Sequence, residues 1–290
     1  MTRLGLMSDL PIDSNQFGEL ETATLLQVLR DKKIDHLHIA GDISNDFRGT
    51  SLPFLERVRQ NLPVSFNLGN HDMLDLSEKE IEEHDLQVQT FGQTHLVSLA
   101  GWYDYSFAPQ LTEKEHLAKK KLYWFDRKLN RPSADPDITA LALTRLDQIL
   151  EELEGPIIVV MHFVPHEAFL VDHPYFHAFN GFLGSQRFHT LFAKHGVSQV
   201  FFGHLHRRYE SKILDGVTYQ ARPLGYRREW RMIQDFYELH PEFADRNTYR
   251  LAKRYAAIKD EPLFQTYAKN QLYHELADCL MTVDIDESTC

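Results

Sequence analysis

Five short apolar runs in this chain each stop abruptly at residues able to bind a cation. Leu4–Met7 runs into Ser8-Asp9, and His36–Ala40 runs into Gly41-Asp42. Val64–Leu68 runs into Gly69-Asn70-His71-Asp72, Ile157–Met161 into His162, and Val200–Phe202 into Gly203-His204-Leu205-His206. Runs this short and this rich in Val, Ile, Leu and Phe predict buried strands rather than helices. Between the first three lie segments of helical periodicity. Glu19–Lys32 fills its stripe with Leu25, Leu26 and Leu29, and Leu52–Asn61 places Leu52, Leu55 and Val58 on one face. Strand and helix in alternation predict an α/β fold, whose functional loops leave the C-terminal ends of the strands. Those are the positions where the acidic, amide and imidazole residues fall.

Composition narrows the function. The 290 residues include 31 Lys+Arg and 42 Asp+Glu, a net charge of −11, with 16 His but only 2 Cys. The length suits one large domain or two small ones. The acidic balance argues against an electrostatic binder of duplex nucleic acid or of a membrane surface. Cys279 and Cys290, both near the C-terminus, cannot build a disulfide framework or a multi-cysteine zinc site. No apolar run is long enough to span a bilayer, and the apolar part of Met1–Asp9 is too short for a signal peptide. A reducing cytoplasm is the expected compartment. Further along, the pattern predicts a strand at Leu96–Ala100, an aromatic loop at Trp102–Phe107, and a helix at Thr139–Glu154 stopped by Gly155-Pro156. A helix at Ser185–His195, a strand at Val217–Ala221, helical character over 235–278 and a last strand at Met281–Ile285 complete the prediction.

Taken together, Asp9, Asp42, Asn70, His71, His162, His204 and His206 offer oxygen and imidazole donors with no thiolate, a set that suits Mn, Fe or Zn. A carboxylate such as Asp42 can bridge two ions, and Asn70 offers a neutral carbonyl oxygen. In this order, Asp9, Gly41-Asp42, Gly69-Asn70-His71-Asp72, His162 and Gly203-His204-Leu205-His206 resemble the calcineurin-like metallophosphoesterases, whose pattern is D-x-H, GD, GNH[DE], H, GHxH. Four of the five blocks match, across roughly the first 206 residues. The resemblance implies a four-layer αββα sandwich over 1–230, with 231–290 as a mainly helical extension packed on the same domain. It also implies two metal ions, the first held by Asp9 and His206 and the second by Asn70, His162 and His204, with Asp42 bridging. His71 would bind the phosphate and, as a protonated imidazole, protonate the leaving oxygen, with Asp72 orienting it. The implied activity is hydrolysis of a small phosphomonoester, phosphodiester or nucleotide by a hydroxide that the two ions activate.

The first block departs from the pattern, because Pro11 stands where a ligating histidine is expected and has no donor atom. Water or Asp13 could complete that shell, or the first ion could bind weakly. A second reading is a metallophosphoesterase-like binding scaffold that has lost turnover. The remaining features are assigned plainer roles. The Trp102–Phe107 rings are expected to pack rather than stack on substrate, and Lys119-Lys120-Lys121 to form a solvated helix face. Arg222, Arg227, Arg228 and Arg231 could grip a phosphate or pair with carboxylates.

Overall fold

A computed structural model describes residues 1–286. In chain order its strands are β1 (Thr2–Met7), β2 (His36–Ala40), β3 (Val64–Asn67), β4 (Gln87–Phe91), β5 (Thr94–Leu99), β6 (Ile157–Met161), β7 (Gln199–Phe201), β8 (Tyr209–Leu214), β9 (Val217–Ala221) and β10 (Met281–Ile285). Its helices are α1 (Glu19–Asp31), α2 (Leu52–Arg59), α3 (Glu78–His84), α4 (Glu113–Tyr123), α5 (Asp135–Glu152), α6 (Gln186–Lys194), α7 (Arg231–Leu239), α8 (Leu251–Ala256) and α9 (Pro262–Cys279).

The strands form two sheets. One has the order β10-β1-β2-β3, parallel except for β10. The other has the order β4-β5-β6-β7-β9-β8, with antiparallel strands at both edges. Leu4, Leu6 and Ala40 of the first sheet pack on Leu96, Ile158, Val160 and Phe201 of the second. The outer face of the first sheet is covered by α1, α2, α7 and α9 through Leu25, Leu55, Phe236 and Leu276. That of the second is covered by α5 and α6 through Leu146, Leu150, Phe188 and Phe192. The strands read as continuous apolar runs because both their faces are covered. The layers run helix, sheet, sheet, helix, the sandwich that the resemblance implied.

The short apolar runs are strands as expected, and the other elements differ from the sequence reading for local reasons. Helix α5 starts a turn earlier than predicted, because Pro136 is tolerated in a first turn. Ser185 is the cap of α6, accepting from the Arg187 N–H, rather than its first residue. The stretch predicted as helical over 235–278 is broken after Leu239, where the chain turns at His240-Pro241. Strands β4 and β8 escape the pattern because they are exposed edge strands with no apolar run. Trp102 and Tyr103 are fully buried, so the aromatic loop is packing. Lys120 is a correction: it is not on a solvated face but pairs at 2.7 Å with the buried Asp135, which also accepts from Trp102 Nε1.

Residues after 230 are built into this core. β10 extends the first sheet beside β1, and Cys279 is buried with Leu272 and Leu276. Cys290 lies outside the described residues. Among those residues, no helix is long and apolar enough to cross a membrane.

Candidate metal centre

The C-terminal ends of β1, β2, β3, β6 and β7 converge on one rim, and the predicted donors meet there. Two clusters form, Asp42 with His162 and His204, and Asp9 with Asp42 and His206, each with ligand atoms within 4.8 Å of one another. Asp42 belongs to both. Asn70 joins the first cluster, its Oδ1 lying 3.2 Å from His162 Nε2.

The backbone is bent to achieve this. Asp9, Asp42, His204 and His206 all have positive φ, between 52° and 69°, a region that side-chain-bearing residues rarely occupy. Such strain persists only where the surroundings hold it, and it gathers at functional sites. It also answers the puzzle posed by His204 and His206. On an extended strand they would face opposite ways, but in these conformations both turn toward the centre. The motif glycines are needed for close approach. A Cβ on Gly69 would lie 2.2 Å from Asp42 Oδ1, and one on Gly203 would lie 2.3 Å from Asp9 Oδ2.

Each donor is oriented by a partner behind it. His162 donates from Nδ1 to the Ala40 carbonyl at 3.0 Å, which leaves the Nε2 lone pair facing Asp42 Oδ1 at 3.4 Å. His206 Nδ1 donates to Glu229 Oε2 at 2.8 Å, so its Nε2 faces Asp9 Oδ1 at 3.4 Å. Asn70 donates from Nδ2 to Asp126 Oδ1 at 2.7 Å, which turns its carbonyl oxygen inward. His204 Nδ1 lies 3.2 Å from His162 Nε2, and its own Nε2 is buried with no hydrogen-bond partner among the described residues. Lone pairs converging on carboxylates this closely are the donor set of borderline or hard divalent cations, so the residues present fit two such ions. Glu229 and Asp126 gave no signal in the sequence. Each is a lone carboxylate far along the chain from the residue it orients.

Without a cation, protons must do the same neutralising work. Burial lowers the pKa of His206, but the Asp9 and Glu229 hydrogen bonds outweigh it and bring it to about 10. Burial likewise opposes protonation of His162, yet the Asp42 charge brings it to about 9. His204 is held well below the ordinary range by burial and by the charge on His162. Asp42 is held low: burial opposes this, and the charge of His162 prevails. Loading an ion therefore means displacing protons from His162 and His206.

His71 and Asp72 depart from expectation. Asp72 does not orient His71. Its buried carboxylate accepts from four backbone amides, those of Asp42 at 2.7 Å, Ile43 at 2.9 Å, Ser44 at 3.1 Å and Gly69 at 2.8 Å. It thus ties the loop after β2 to the loop after β3. Burial and the charge of Asp42 raise its pKa to about 7, against the pull of those amides. The partner of His71 is Asn45, whose Oδ1 lies 2.8 Å from Nδ1. Asn45 is itself held by Asp13, which accepts from its Nδ2 at 2.8 Å and from its backbone N–H at 3.1 Å. Because the Asn45 amide nitrogen is committed to Asp13, its oxygen must face His71, and His71 carries its proton on Nδ1. Nε2 is then the free end, 4.0 Å from Asp42 Oδ2, with the ring stacked on Phe125 at 3.7 Å. Burial lowers the His71 pKa against the pull of the Asp42 charge, so the protonated ring that the expected role needs depends on the charge of a bound phosphate. The signal for Asn45 was available: it is the third residue after Asp42.

The gap at Pro11 persists. Asp13 does not fill it, since its Oδ2 is used by Asn45 and it belongs to neither donor cluster. The four arginines serve carboxylates: Arg222 pairs with Asp278, Arg227 with Glu21, Arg228 with Glu229 and Arg231 with Asp235. The loop that carries Glu229 is pinned over the first donors, with Gly225 N–H donating to the Asp9 carbonyl at 2.9 Å.

Comparison with known proteins places the chain in a family. A family model described as calcineurin-like phosphoesterase matches residues 2–208. No curated protein matches the chain. Among solved structures, the chain is similar to a phosphopantetheinyl hydrolase from Mycobacterium tuberculosis, with TM-score 0.59 and 18% identity over 86% of this chain and 94% of that one. It is also similar to a purple acid phosphatase from yellow lupin (Lupinus luteus), with TM-score 0.42 and 12% identity over 76% of this chain and 43% of that one.

Proposed function

The chain belongs to the calcineurin-like phosphoesterases, a family of metal-dependent phosphate-ester hydrolases, and from that premise we propose that it hydrolyses a small phosphomonoester or phosphodiester at a two-ion centre. The observation that carries this reading is the place of Asp42 in both donor clusters, which is what a bridging ligand requires. Asp9, Asp42 and His206 would hold one ion. Asp42, Asn70, His162 and His204 would hold the other. Mn, Fe and Zn suit these donors.

When bound, the ions supply positive charge for the phosphoryl oxygens and activate water for attack on phosphorus. The protein does the rest. Glu229, Asp126 and the Ala40 carbonyl fix His206, Asn70 and His162, so the donors need not reorganise. The Asp72 carboxylate holds the loops bearing Asp42 and Asn70 in register. His71 enters the cycle neutral, with Nδ1–H on Asn45. Its Nε2 takes up a proton as the anionic ester binds and passes it to the oxygen that leaves phosphorus.

The test is direct. Purified protein is loaded with Mn, its metal content measured, and phosphate or alcohol release followed with an aryl phosphate and an aryl phosphodiester. Two ions per chain, turnover of either ester, and loss of turnover in His71→Ala with metal retained are expected. A chain that binds two ions and hydrolyses neither ester is instead the binding scaffold that Pro11 suggests. Full activity in His71→Ala would remove the acid role.

A further inference from the structure

Two clefts lie beside the metal centre, one opening at a donor and one behind Trp124, and they differ in chemistry. The first, of about 410 Å³, starts at His206 and Glu229 and is lined by Arg208, Arg222 and Asp278. Its charges are already matched, Arg208 with Glu275 and Asp278, and Arg222 with Asp278. The second, of about 430 Å³, is walled by Tyr123, Trp124, Tyr175, Phe176 and Phe179, with Arg207 at its edge.

Trp124 is the wall shared by the aromatic cleft and the metal centre. Its ring meets His204 edge-on at 6.2 Å. Its Nε1 donates to Asp126 at 3.0 Å, and the other oxygen of that carboxylate holds Asn70. The indole is thus fixed by the same group that orients a donor. Phe179 lies almost parallel to it, 6.1 Å away and 19° off. At the mouth, Tyr175 is 88% exposed and Tyr123 is 66% exposed, so their ring faces are open to an incoming group. Arg207 directly follows His206 and has no carboxylate partner among the described residues, unlike Arg208 and Arg222.

We infer that this cleft receives a planar aromatic ring carried on the organic arm of the phosphoester. The inference rests on the phosphoesterase reading above and names the substrate class for it. An ester whose phosphorus sits at the donors has its organic arm within reach of both clefts, since His206 lines one and Trp124, against His204, walls the other. The charged one offers matched ion pairs that such an arm would have to desolvate. The aromatic one offers flat faces, and aromatic faces reward a ring more than a flexible chain. The ring is aryl or nucleobase, chemistries that share a π face.

Two matched pairs of primary-alcohol phosphates test this with Mn-loaded protein: 2-phenylethyl against n-butyl phosphate, and adenosine 5′-monophosphate against ribose 5-phosphate. In at least one pair the ring-bearing ester should have a KM lower by about tenfold, with kcat changed far less. The first pair reads an aryl ring and the second a nucleobase. Phe179→Ala and the surface change Tyr175→Ala should each shrink that ratio, whereas Tyr249→Ala, an exposed ring outside the cleft, should not. Calorimetric binding of the same four esters to His71→Ala separates the two claims. Ring-selective binding, with no wild-type turnover of these esters or of the aryl phosphodiester above, supports the cleft and sinks the esterase reading. Turnover with a KM ratio near one in both pairs, or a ratio unmoved by both cleft variants, overturns the cleft.

Discussion

The two halves of the metal centre are built to different standards. The half formed by Asn70, His162 and His204 with Asp42 has four side-chain donors, and its histidine His162 is oriented by a backbone carbonyl. The half formed by Asp9 and His206 with Asp42 has three, a proline where a fourth would be, and a carboxylate, Glu229, behind its histidine. A carboxylate behind an imidazole raises its basicity more than a carbonyl does. The weaker donor count is thus met by a stronger donor. On the proposed two-ion reading, bridging by Asp42 would couple the halves, and the first ion would be held partly through the second.

The largest effect should come from breaking that coupling. Asp42→Asn removes the shared charge, and both ions should be lost, with turnover down more than about 100-fold, beyond the usual cost of an outer-shell loss. Metal analysis of the purified variant checks this, and retention of one tightly held ion would show that the halves are independent. Pro11→His acts in the opposite direction on one half alone. It should raise affinity for the first ion by roughly 10- to 100-fold, by analogy with ligand-support losses of that size. A two-site metal titration with unchanged affinities would mean that the geometry at Pro11 has no room for a fourth donor.

Legibility in the sequence follows the same division. Apolar runs and the residues that end them made the strands readable, and with them the acidic and imidazole side chains that cluster at their ends, since a buried strand must be apolar and polar groups gather where it stops. Gly41-Asp42, Gly69-Asn70 and Gly203-His204 are local, and local chemistry shows in sequence. Glu229 and Asp126 are not local. Each meets its partner only because the fold brings a distant loop to the rim, and a single Glu or Asp in a charged stretch carries no periodicity. Asp72 was misread for the converse reason. It is adjacent to His71 in sequence, but the chain turns so that its carboxylate faces backbone amides instead. Edge strands β4 and β8 were unreadable because one face of each meets solvent and neither has a hydrophobic run.

A smaller effect isolates the carboxylate behind His206. Glu229→Gln keeps the shape but removes the charge, and should weaken the first ion about tenfold while leaving the second nearly unchanged. Equal weakening of both ions would contradict the division into halves. Protons report the same asymmetry. In chelator-treated protein His206 and His162 have folded pKa values of about 10 and about 9, above the ordinary 6.5 of histidine. Raised values give stability that is full below about 6.5 and is lost as pH rises through those folded values. Thermal unfolding of the metal-free protein should therefore fall to lower temperature between about pH 6.5 and 10. The metal-loaded protein should move the other way from low pH to neutrality, because ions replace those protons. Parallel trends in the two forms would mean that the ions do not use these nitrogens.

The smallest expected effect lies outside both halves, at the chain from Asp13 through Asn45 to His71. Asp13 Oδ2 fixes the Asn45 amide, and the amide oxygen fixes the Nδ1 proton of His71. Asp13 Oδ1 is buried without a hydrogen-bond partner among the described residues, so the carboxylate is held in place at some cost in solvation. That cost is explained if its task is to set the amide. Asp13→Asn frees the amide of Asn45 to turn its nitrogen toward His71, which would favour the wrong tautomer. Metal content should not change, and kcat should fall about tenfold, less than the roughly 10²-fold or more of losing the general acid outright, because the working tautomer is disfavoured rather than removed. Asn45→Asp should then restore part of the loss and shift the alkaline limb of the pH–rate profile to higher pH, since a carboxylate at Nδ1 favours the protonated ring. A fall in kcat with no movement of that limb would mean that Asn45 only packs against His71 and does not set its proton.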